Sequence, residues 1–124
     1  NSCRSQMAEA FARAYGSDVM APSSAGLSPA ATIAPLTHQV LQEKNLRADG
    51  QFPKPLEFVS REPFDLVVNM SGHPVSIGNA PVVQWVIPDP IGQSEAVYRS
   101  VAAQIEGLIM RLILDLRSAA DQRR

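Results

Sequence analysis

The first residues of the chain combine small polar side chains with an arginine at the start of a predicted helix. They run Asn1-Ser2-Cys3-Arg4-Ser5 and continue into an apolar segment with helical spacing. Backbone N–H groups at a helix N-terminus have no intrahelical partner, and the helix dipole favours a negative charge there. A guanidinium beside these groups adds a bidentate clamp for a tetrahedral oxyanion. The segment therefore predicts an oxyanion-binding loop in which Arg4 is the clamp.

A second candidate for chemistry is an aspartate that lies between two prolines. Asp89 follows an apolar run at residues 82–87, and Ser24 follows a shorter one at residues 19–23. In open parallel sheets, ligands bind beyond the carboxyl ends of the strands. We therefore expect Arg4, Ser24 and Asp89 to converge at one edge of a sheet.

The apolar spacing predicts the elements that position these residues. Apolar side chains at three- and four-residue intervals predict helices, and compact apolar runs predict buried strands. Pro35 lies inside the second predicted helix, so that helix is expected to begin at residue 29 or near Pro35. Ser5 is expected to cap the first helix, and Gly16 to end it. In chain order we predict a helix at residues 5–15, a strand at 19–23, a helix at 29–45, strands at 64–70 and 82–87, and a helix at 93–117.

This order of elements predicts an α/β fold with a mostly parallel sheet, in a single domain that spans residues 1–124. An oxyanion loop of this type normally links a strand to a helix, so a further strand is expected before Asn1, at the centre of the sheet. Without that strand, its two neighbours would have unpaired edges. Such edges favour a homodimer or a strand-swapped association.

Composition limits the classes of function. The 124 residues carry a net charge of -1, with 45% hydrophobic and 19% charged residues, so the bulk charge gives no reason to expect nucleic acid or a membrane as a partner. No apolar run approaches the length of a membrane span and no signal peptide is visible, so a cytoplasmic location is the default expectation. The single cysteine excludes an internal disulfide and any multi-cysteine metal site, and neither a metal nor a cofactor is expected.

The loop and the later motifs resemble a known family. Residues 1–9, Ser24-Ala25-Gly26 and Asp89-Pro90 are similar to motifs of the low-molecular-weight protein tyrosine phosphatases and of the arsenate reductases that share their fold. The resemblance covers the whole chain, and the order and spacing of the motifs make it specific. It implies a three-layer α/β/α fold with a four-stranded parallel sheet. The family signature is Cys-x5-Arg-Ser/Thr, so the nucleophilic cysteine would fall three positions before Asn1, and the first strand and the beginning of the loop would be missing from this chain.

The resemblance implies catalytic roles for Arg4 and Asp89 and a supporting role for Ser5. Arg4 would clamp the oxygens of the bound oxyanion, and Ser5 would stabilise the attacking thiolate through a hydroxyl hydrogen bond. Asp89 would protonate the leaving oxygen and then activate water against the covalent intermediate. A thiolate at a helix N-terminus beside an arginine is ionised near neutral pH, which suits this chemistry.

The resemblance implies supporting roles for four others. Asn1 and Ser24 would hold the loop in shape through side-chain hydrogen bonds. Ser2 and Cys3 would be loop residues that contribute to oxyanion binding and loop support. Cys3 corresponds to a second loop cysteine of the family, with an auxiliary or redox-protective role at most.

The favoured reaction at this stage is phosphomonoester hydrolysis through a phosphocysteine. Its chemistry requires nothing that the sequence lacks, apart from the residues expected before Asn1. A phosphoprotein would be the substrate, but Ile91 and Gly92 replace the aromatic residues that usually follow Asp-Pro in the phosphatases. A preference for phosphotyrosine is therefore unsupported.

Arsenate reduction is the alternative reaction, because the loop sequence is closer to that of the reductases. The thioredoxin-coupled reductases need two further cysteines after the third strand. Here Ser71 stands where the first would be, and no cysteine follows. Reduction would therefore need an external thiol, such as a low-molecular-weight thiol with a glutaredoxin-type partner.

A third alternative is a chain without enzymatic activity. The expected nucleophile is not among the 124 residues, so the polypeptide could be an inactive oxyanion-binding protein. Phosphate or arsenate is the expected ligand in all three cases.

Overall fold

The computed structural model describes residues 3–122. In chain order its elements are α1 (Arg4–Tyr15), α2 (Pro35–Gln42), a 3-10 turn (Leu56–Phe58), β1 (Val67–Asn69), β2 (Val82–Gln84) and α3 (Glu95–Gln122). β1 and β2 pair in parallel, with Val67 opposite Val82 and Asn69 opposite Gln84. The predicted α/β fold with a parallel sheet is therefore confirmed.

The described residues form two of the four strands that the resemblance implied. The predicted strand at residues 19–23 forms no ladder; the nearest pairing is an isolated parallel bridge between Gly26 and Pro55. A strand is stabilised by hydrogen bonds to a neighbouring strand, and no described residue pairs with this segment. An apolar run by itself was therefore not sufficient to predict a paired strand.

The core lies between the helices. α3 packs along α1 and α2, and it buries side chains at four-residue intervals because those positions share one face of a helix. These are Val101, Ile105, Ile109 and Ile113. α1 buries every residue from Gln6 to Ala12, so its first turn is held firmly against the rest of the molecule. None of the helices in residues 3–122 is both long and apolar enough to cross a membrane.

Gly16 ends α1 as predicted, but for a different reason from the one expected. Its φ is −130°, so the left-handed conformation that favours glycine is not used. A Cβ on Gly16 would instead lie 2.7 Å from Cγ1 of Ile113. The glycine permits α3 to approach the end of α1 closely.

The second helix begins at Pro35, the later of the two expected starts. Pro35 occupies the first helical turn, where its missing N–H costs no hydrogen bond, and Ala34 precedes it in an extended conformation. The helix ends at Gln42, and Asn45 follows with a positive φ of 61°. The helix therefore ends three residues before the predicted end at residue 45, and residues 43–45 form a turn.

Candidate active site

The start of α1 presents backbone N–H groups that the helix does not pair. The first hydrogen bond of the helix runs from the N–H of Met7 to the carbonyl of Cys3, at 2.9 Å. The N–H groups of the intervening turn therefore have no intrahelical acceptor. α1 has no acidic residue in its first turn, so no carboxylate of that turn offsets the positive end of the helix dipole. This end of α1 favours an anion.

The guanidinium of Arg4 reaches from the start of α1 to the segment that follows β2. Its Nη1 donates to the backbone carbonyl of Ile87 at 2.8 Å, and its Nη2 lies 3.7 Å from Oδ2 of Asp89. The side chain is 22% exposed, so the guanidinium is held in place without being enclosed. The structure brings these two predicted site residues together.

Asp89 lies in a tight turn with one carboxylate oxygen fixed. Its Oδ1 accepts a hydrogen bond from the N–H of Ile91 at 3.1 Å, and the N–H of Gln93 donates to the carbonyl of Pro90 at 2.9 Å. Gly92 completes the turn with a φ of 73°, which L side chains rarely adopt. The carboxylate is half exposed, so a bound substrate can reach it.

Ser5 lies inside the first turn of α1 and does not cap the helix, contrary to expectation. The capping position belongs to Cys3, and no side chain among the described residues makes a capping hydrogen bond there. The hydroxyl Oγ of Ser5 is buried and has no hydrogen-bond partner in the part of the chain that the structure describes. Leaving a buried hydroxyl unpaired costs about 1–3 kcal/mol. A hydroxyl left unpaired beside an anion-favouring helix end is therefore available to a ligand or to an attacking group.

Ser24 is joined to α1 through a buried carboxylate that the sequence did not single out. The hydroxyl of Ser24 donates to Oε1 of Glu9 at 2.6 Å, and Nε of Arg13 donates to Oε2 of the same residue at 2.8 Å. Glu9 is only 4% exposed. A glutamate at a buried position of an amphipathic helix is the sequence signal that could have identified it.

The predicted loop residues Asn1 and Ser2 lie outside the described residues. The expected hydrogen-bonding support of the loop by Asn1 and Ser24 therefore stays a prediction. In the structure, the hydrogen bond from Ser24 to Glu9 fixes the segment before Gly26 against α1.

Cys3 points into the protein and contacts a tyrosine that the sequence did not indicate. Its Sγ lies 3.4 Å from the hydroxyl of Tyr98 on α3, and the two residues are 3% and 2% exposed. Burial raises the pKa of Tyr98 well above its usual range, and the contact with Cys3 and the charge of Asp89 raise it further. The phenol therefore stays protonated at physiological pH, and the thiol of Cys3 faces α3.

The segment after β1 forms a compact turn built on a buried asparagine. Oδ1 of Asn69 accepts from the N–H of Ser71 at 2.9 Å and from its hydroxyl at 2.7 Å, while Nδ2 donates to the carbonyl of His73 at 2.6 Å. Gly72 takes a φ of 78° at the tip. The N–H and the hydroxyl of Ser71 are thus both used in hydrogen bonds that form the turn. No residue after Cys3 carries a thiol.

These groups together can hold an oxyanion and deliver a proton to it. Backbone N–H groups and Arg4 provide donors for several oxygens of one tetrahedral anion. Asp89 is close enough to the guanidinium to act on an oxygen bound there. The same arrangement suits phosphoryl and arsenyl groups.

Comparisons with known proteins identify relatives of the chain. The low molecular weight phosphotyrosine protein phosphatase family matches residues 1–81. The chain is 34% identical over 118 residues to the glutaredoxin arsenate reductase of Synechocystis sp., covering 91% of this chain and 89% of that protein. It is 31% identical over 116 residues to arsenate reductase 1 of Bacillus cereus, covering 90% and 86%. A solved structure of an arsenate reductase in its phosphate-binding state superposes with a TM-score of 0.83 at 31% identity, covering 94% of this chain and 92% of that one.

Proposed function

Since the chain belongs to the low molecular weight phosphotyrosine protein phosphatase family, we propose that it reduces arsenate to arsenite with electrons from an external thiol. The observation that carries the proposal is its 34% identity, over 91% of its length, to a glutaredoxin arsenate reductase. This relationship supports the reductase alternative better than the phosphomonoesterase that the sequence favoured.

The proposed substrate site is the start of α1. Arsenate is tetrahedral and anionic, so the backbone N–H groups of the first turn and the guanidinium of Arg4 can each bind a different oxygen. Arg4 is pre-positioned for this task because the carbonyl of Ile87 already holds one of its nitrogens at 2.8 Å. The buried hydroxyl of Ser5 is available to the attacking sulfur.

The proposed first step replaces an arsenic–oxygen bond with an arsenic–sulfur bond. The nucleophile is the cysteine that the family signature places three positions before Asn1. Its thiolate attacks arsenic, and Asp89 donates a proton to a departing hydroxyl group of arsenate, which leaves as water. The product is an arsenic(V) adduct on the cysteine sulfur.

The reduction then requires two further thiols. An external thiolate attacks the cysteine sulfur, the sulfur–arsenic bond breaks, and arsenic keeps the electron pair and leaves as arsenite. This step produces a mixed disulfide, which a second external thiol cleaves to regenerate the cysteine. In sum, two thiols are oxidised to one disulfide, one arsenate becomes arsenite, and one water molecule is released.

The residues near the site offer no accessible thiol for this reduction, so the thiols are proposed to come from outside the chain. Ser71 occupies the turn after β1 and carries a hydroxyl, and the chain has no cysteine after Cys3. The sulfur of Cys3 is buried against Tyr98, so it is not presented to an adduct in the oxyanion loop. A small thiol with a glutaredoxin-type protein, as in the name of the Synechocystis relative, fits this need.

Phosphomonoester hydrolysis is the second candidate. The observation in its favour is Asp89, whose half-exposed carboxylate lies 3.7 Å from Arg4 and could protonate the oxygen of an ester leaving group. This chemistry requires no reductant. The apolar Ile91 in the turn beside Asp89 offers no aromatic surface for a phosphotyrosine ring.

The test measures both reactions on the chain produced together with the residues encoded upstream of Asn1. Arsenate-dependent oxidation of glutathione is followed with glutaredoxin, with thioredoxin and with neither, and p-nitrophenyl phosphate hydrolysis is measured in parallel. We expect glutaredoxin to support the fastest arsenate turnover. Hydrolysis of the phosphate ester without any arsenate-dependent thiol oxidation would instead establish the phosphatase, and the loss of both activities would leave an oxyanion-binding protein.

A further inference from the structure

The contact between Cys3 and Tyr98 joins the last residue of the oxyanion loop to α3. Cys3 occupies the capping position of α1, but its side chain makes no capping hydrogen bond. Its Sγ lies instead 3.4 Å from the hydroxyl of Tyr98, where either group can be the donor. Both residues are almost fully buried, so water does not compete for this contact.

We propose that Tyr98 is a positioning residue whose hydroxyl holds Cys3, and with it the end of the oxyanion loop, in the geometry that binds the anion. The proposal rests on the proposed function, because it assigns Tyr98 to the same oxyanion site. Tyr98 does not touch the substrate and acts through Cys3.

The position of the contact supports this role. Arg4 is fixed to the carbonyl of Ile87 and lies near Asp89, and Cys3 is fixed to Tyr98. Two consecutive residues at the start of α1 are therefore held from different elements, Arg4 by the segment that carries Asp89 and Cys3 by α3. Since the anion-binding N–H groups belong to the same turn, a shift of Cys3 would change the direction in which those groups point.

The proposed role of Tyr98 depends on its hydroxyl and not on its ring. A phenylalanine would fill the same space in the core, whereas a buried phenol needs a hydrogen-bond partner. Burial raises the pKa of Tyr98, so the phenol stays neutral and available for hydrogen bonding throughout the pH range of an assay. Tyr98→Phe therefore removes one hydrogen bond and leaves the packing nearly unchanged.

The experiment measures the Kd of inorganic phosphate by calorimetry, on the chain produced with its upstream residues. Tyr98→Phe should raise this Kd by about 2- to 12-fold, the range that corresponds to one net hydrogen bond. The matched control is Tyr15→Phe, which also removes a tyrosine hydroxyl bond between α1 and α3. Tyr15 donates to Glu106 at 2.9 Å from the opposite end of α1, so its loss should leave the phosphate Kd unchanged.

A double-mutant cycle tests whether Tyr98 acts through Cys3. In a Cys3→Ala background, Tyr98→Phe should have no additional effect on the phosphate Kd. In a Cys3→Ser background, where a hydroxyl can replace the thiol as partner, Tyr98→Phe should again weaken binding. If the role of Tyr98 were purely structural, Tyr98→Phe would lower the melting temperature of the otherwise unmutated protein without changing the phosphate Kd.

The outcomes separate this proposal from the function on which it rests. If the unmutated protein binds phosphate and Tyr98→Phe behaves like Tyr15→Phe, the positioning role is overturned and the oxyanion site stands. If the unmutated protein binds no phosphate, both are overturned. Should Tyr98→Phe fail to fold, Cys3→Ala removes the same bond from the other side, and an unchanged Kd in that variant would equally overturn the proposal.

Discussion

The guanidinium of Arg4 lies 3.7 Å from the carboxylate of Asp89 and donates a hydrogen bond to the carbonyl of Ile87. Arg4 is the first residue of α1, whereas Asp89 lies in a turn after β2, so the contact depends on how the sheet and the helix pack. It brings the proposed clamp and the proposed acid of the oxyanion site next to each other.

Replacing Arg4 should remove most of the activity of the protein. Arg4→Ala deletes the donors to the oxyanion and should lower kcat/KM for arsenate by at least about 10²-fold, as for other groups that stabilise a developing oxyanion. Arg4→Lys keeps the charge but loses the planar fork, so we expect an intermediate value. Steady-state kinetics checks both variants.

The control for Arg4 is Arg117→Ala. Arg117 forms an ion pair with Asp18 near the other end of α1 and should not affect kcat/KM. Full turnover by Arg4→Ala would show that the clamp has been assigned to the wrong residue.

Asp89→Asn should separate catalysis from binding. The amide oxygen can still accept from the N–H of Ile91, so the turn is expected to persist. Loss of the general acid should lower kcat by about 10²–10⁴-fold. The Kd of phosphate should not rise, because the change removes a negative charge from the neighbourhood of the anion. A variant that keeps the unmutated kcat would exclude Asp89 as the acid.

Removing the hydroxyl of Ser24 should destabilise the protein. Ser24→Ala leaves Oε1 of the buried Glu9 without the donor that now lies at 2.6 Å. Loss of one partner from a buried charged acceptor costs about 1–3 kcal/mol in the free energy of unfolding. Urea unfolding measures this cost, and Ser60→Ala, whose exposed hydroxyl bonds to the carbonyl of Glu57, is expected to change stability very little.

Gly16→Ala should be destabilising, although alanine is normally better than glycine near a helix. The new Cβ would lie 2.7 Å from Cγ1 and 2.8 Å from Cδ1 of the fully buried Ile113. Forcing an extra carbon into a packed core costs about 1–3 kcal/mol. Gly107→Ala is the matched control, since nothing lies within 4 Å of its new Cβ and the helix should gain about 0.5–1 kcal/mol. Equal effects from the two substitutions in thermal unfolding would contradict this account.

The ion pair between Lys44 and Glu106 should make stability depend on acidity. The hydrogen bond from Lys44, at 2.8 Å, lowers the pKa of Glu106 below its unperturbed value of 4.5, and the bond from Tyr15 contributes to the same shift. A carboxyl whose pKa is lower in the folded protein stabilises the fold above pH 4.5, and this contribution is lost as the pH falls through the folded pKa.

The measurement for this ion pair is the urea midpoint as a function of pH. The midpoint of the unmutated protein should fall below pH 4.5 more steeply than that of Glu106→Gln, which has no carboxyl to titrate at this position. Parallel curves for the two proteins would mean that Glu106 contributes nothing to the pH dependence.

Local sequence predicted the first and last helices well because helical hydrogen bonds join residues only four apart. The predicted helix at residues 5–15 is α1 (Arg4–Tyr15), and the one at 93–117 is within α3 (Glu95–Gln122) apart from two residues at its start. Motif order and spacing were sufficient to identify the family. These features depend on short-range patterns, which the sequence by itself determines.

Only the tertiary structure decided which groups meet at the site. It placed Tyr98 against Cys3 and Glu9 against Ser24. The sequence around these residues does not indicate which residue each of them contacts. Within residues 3–122 the tertiary structure also gave residues 19–23 no strand partner, although their apolar run resembled a strand. Contacts of this kind depend on the distances and angles at which whole elements pack, and a period of two or 3.6 residues along one segment carries no information about them.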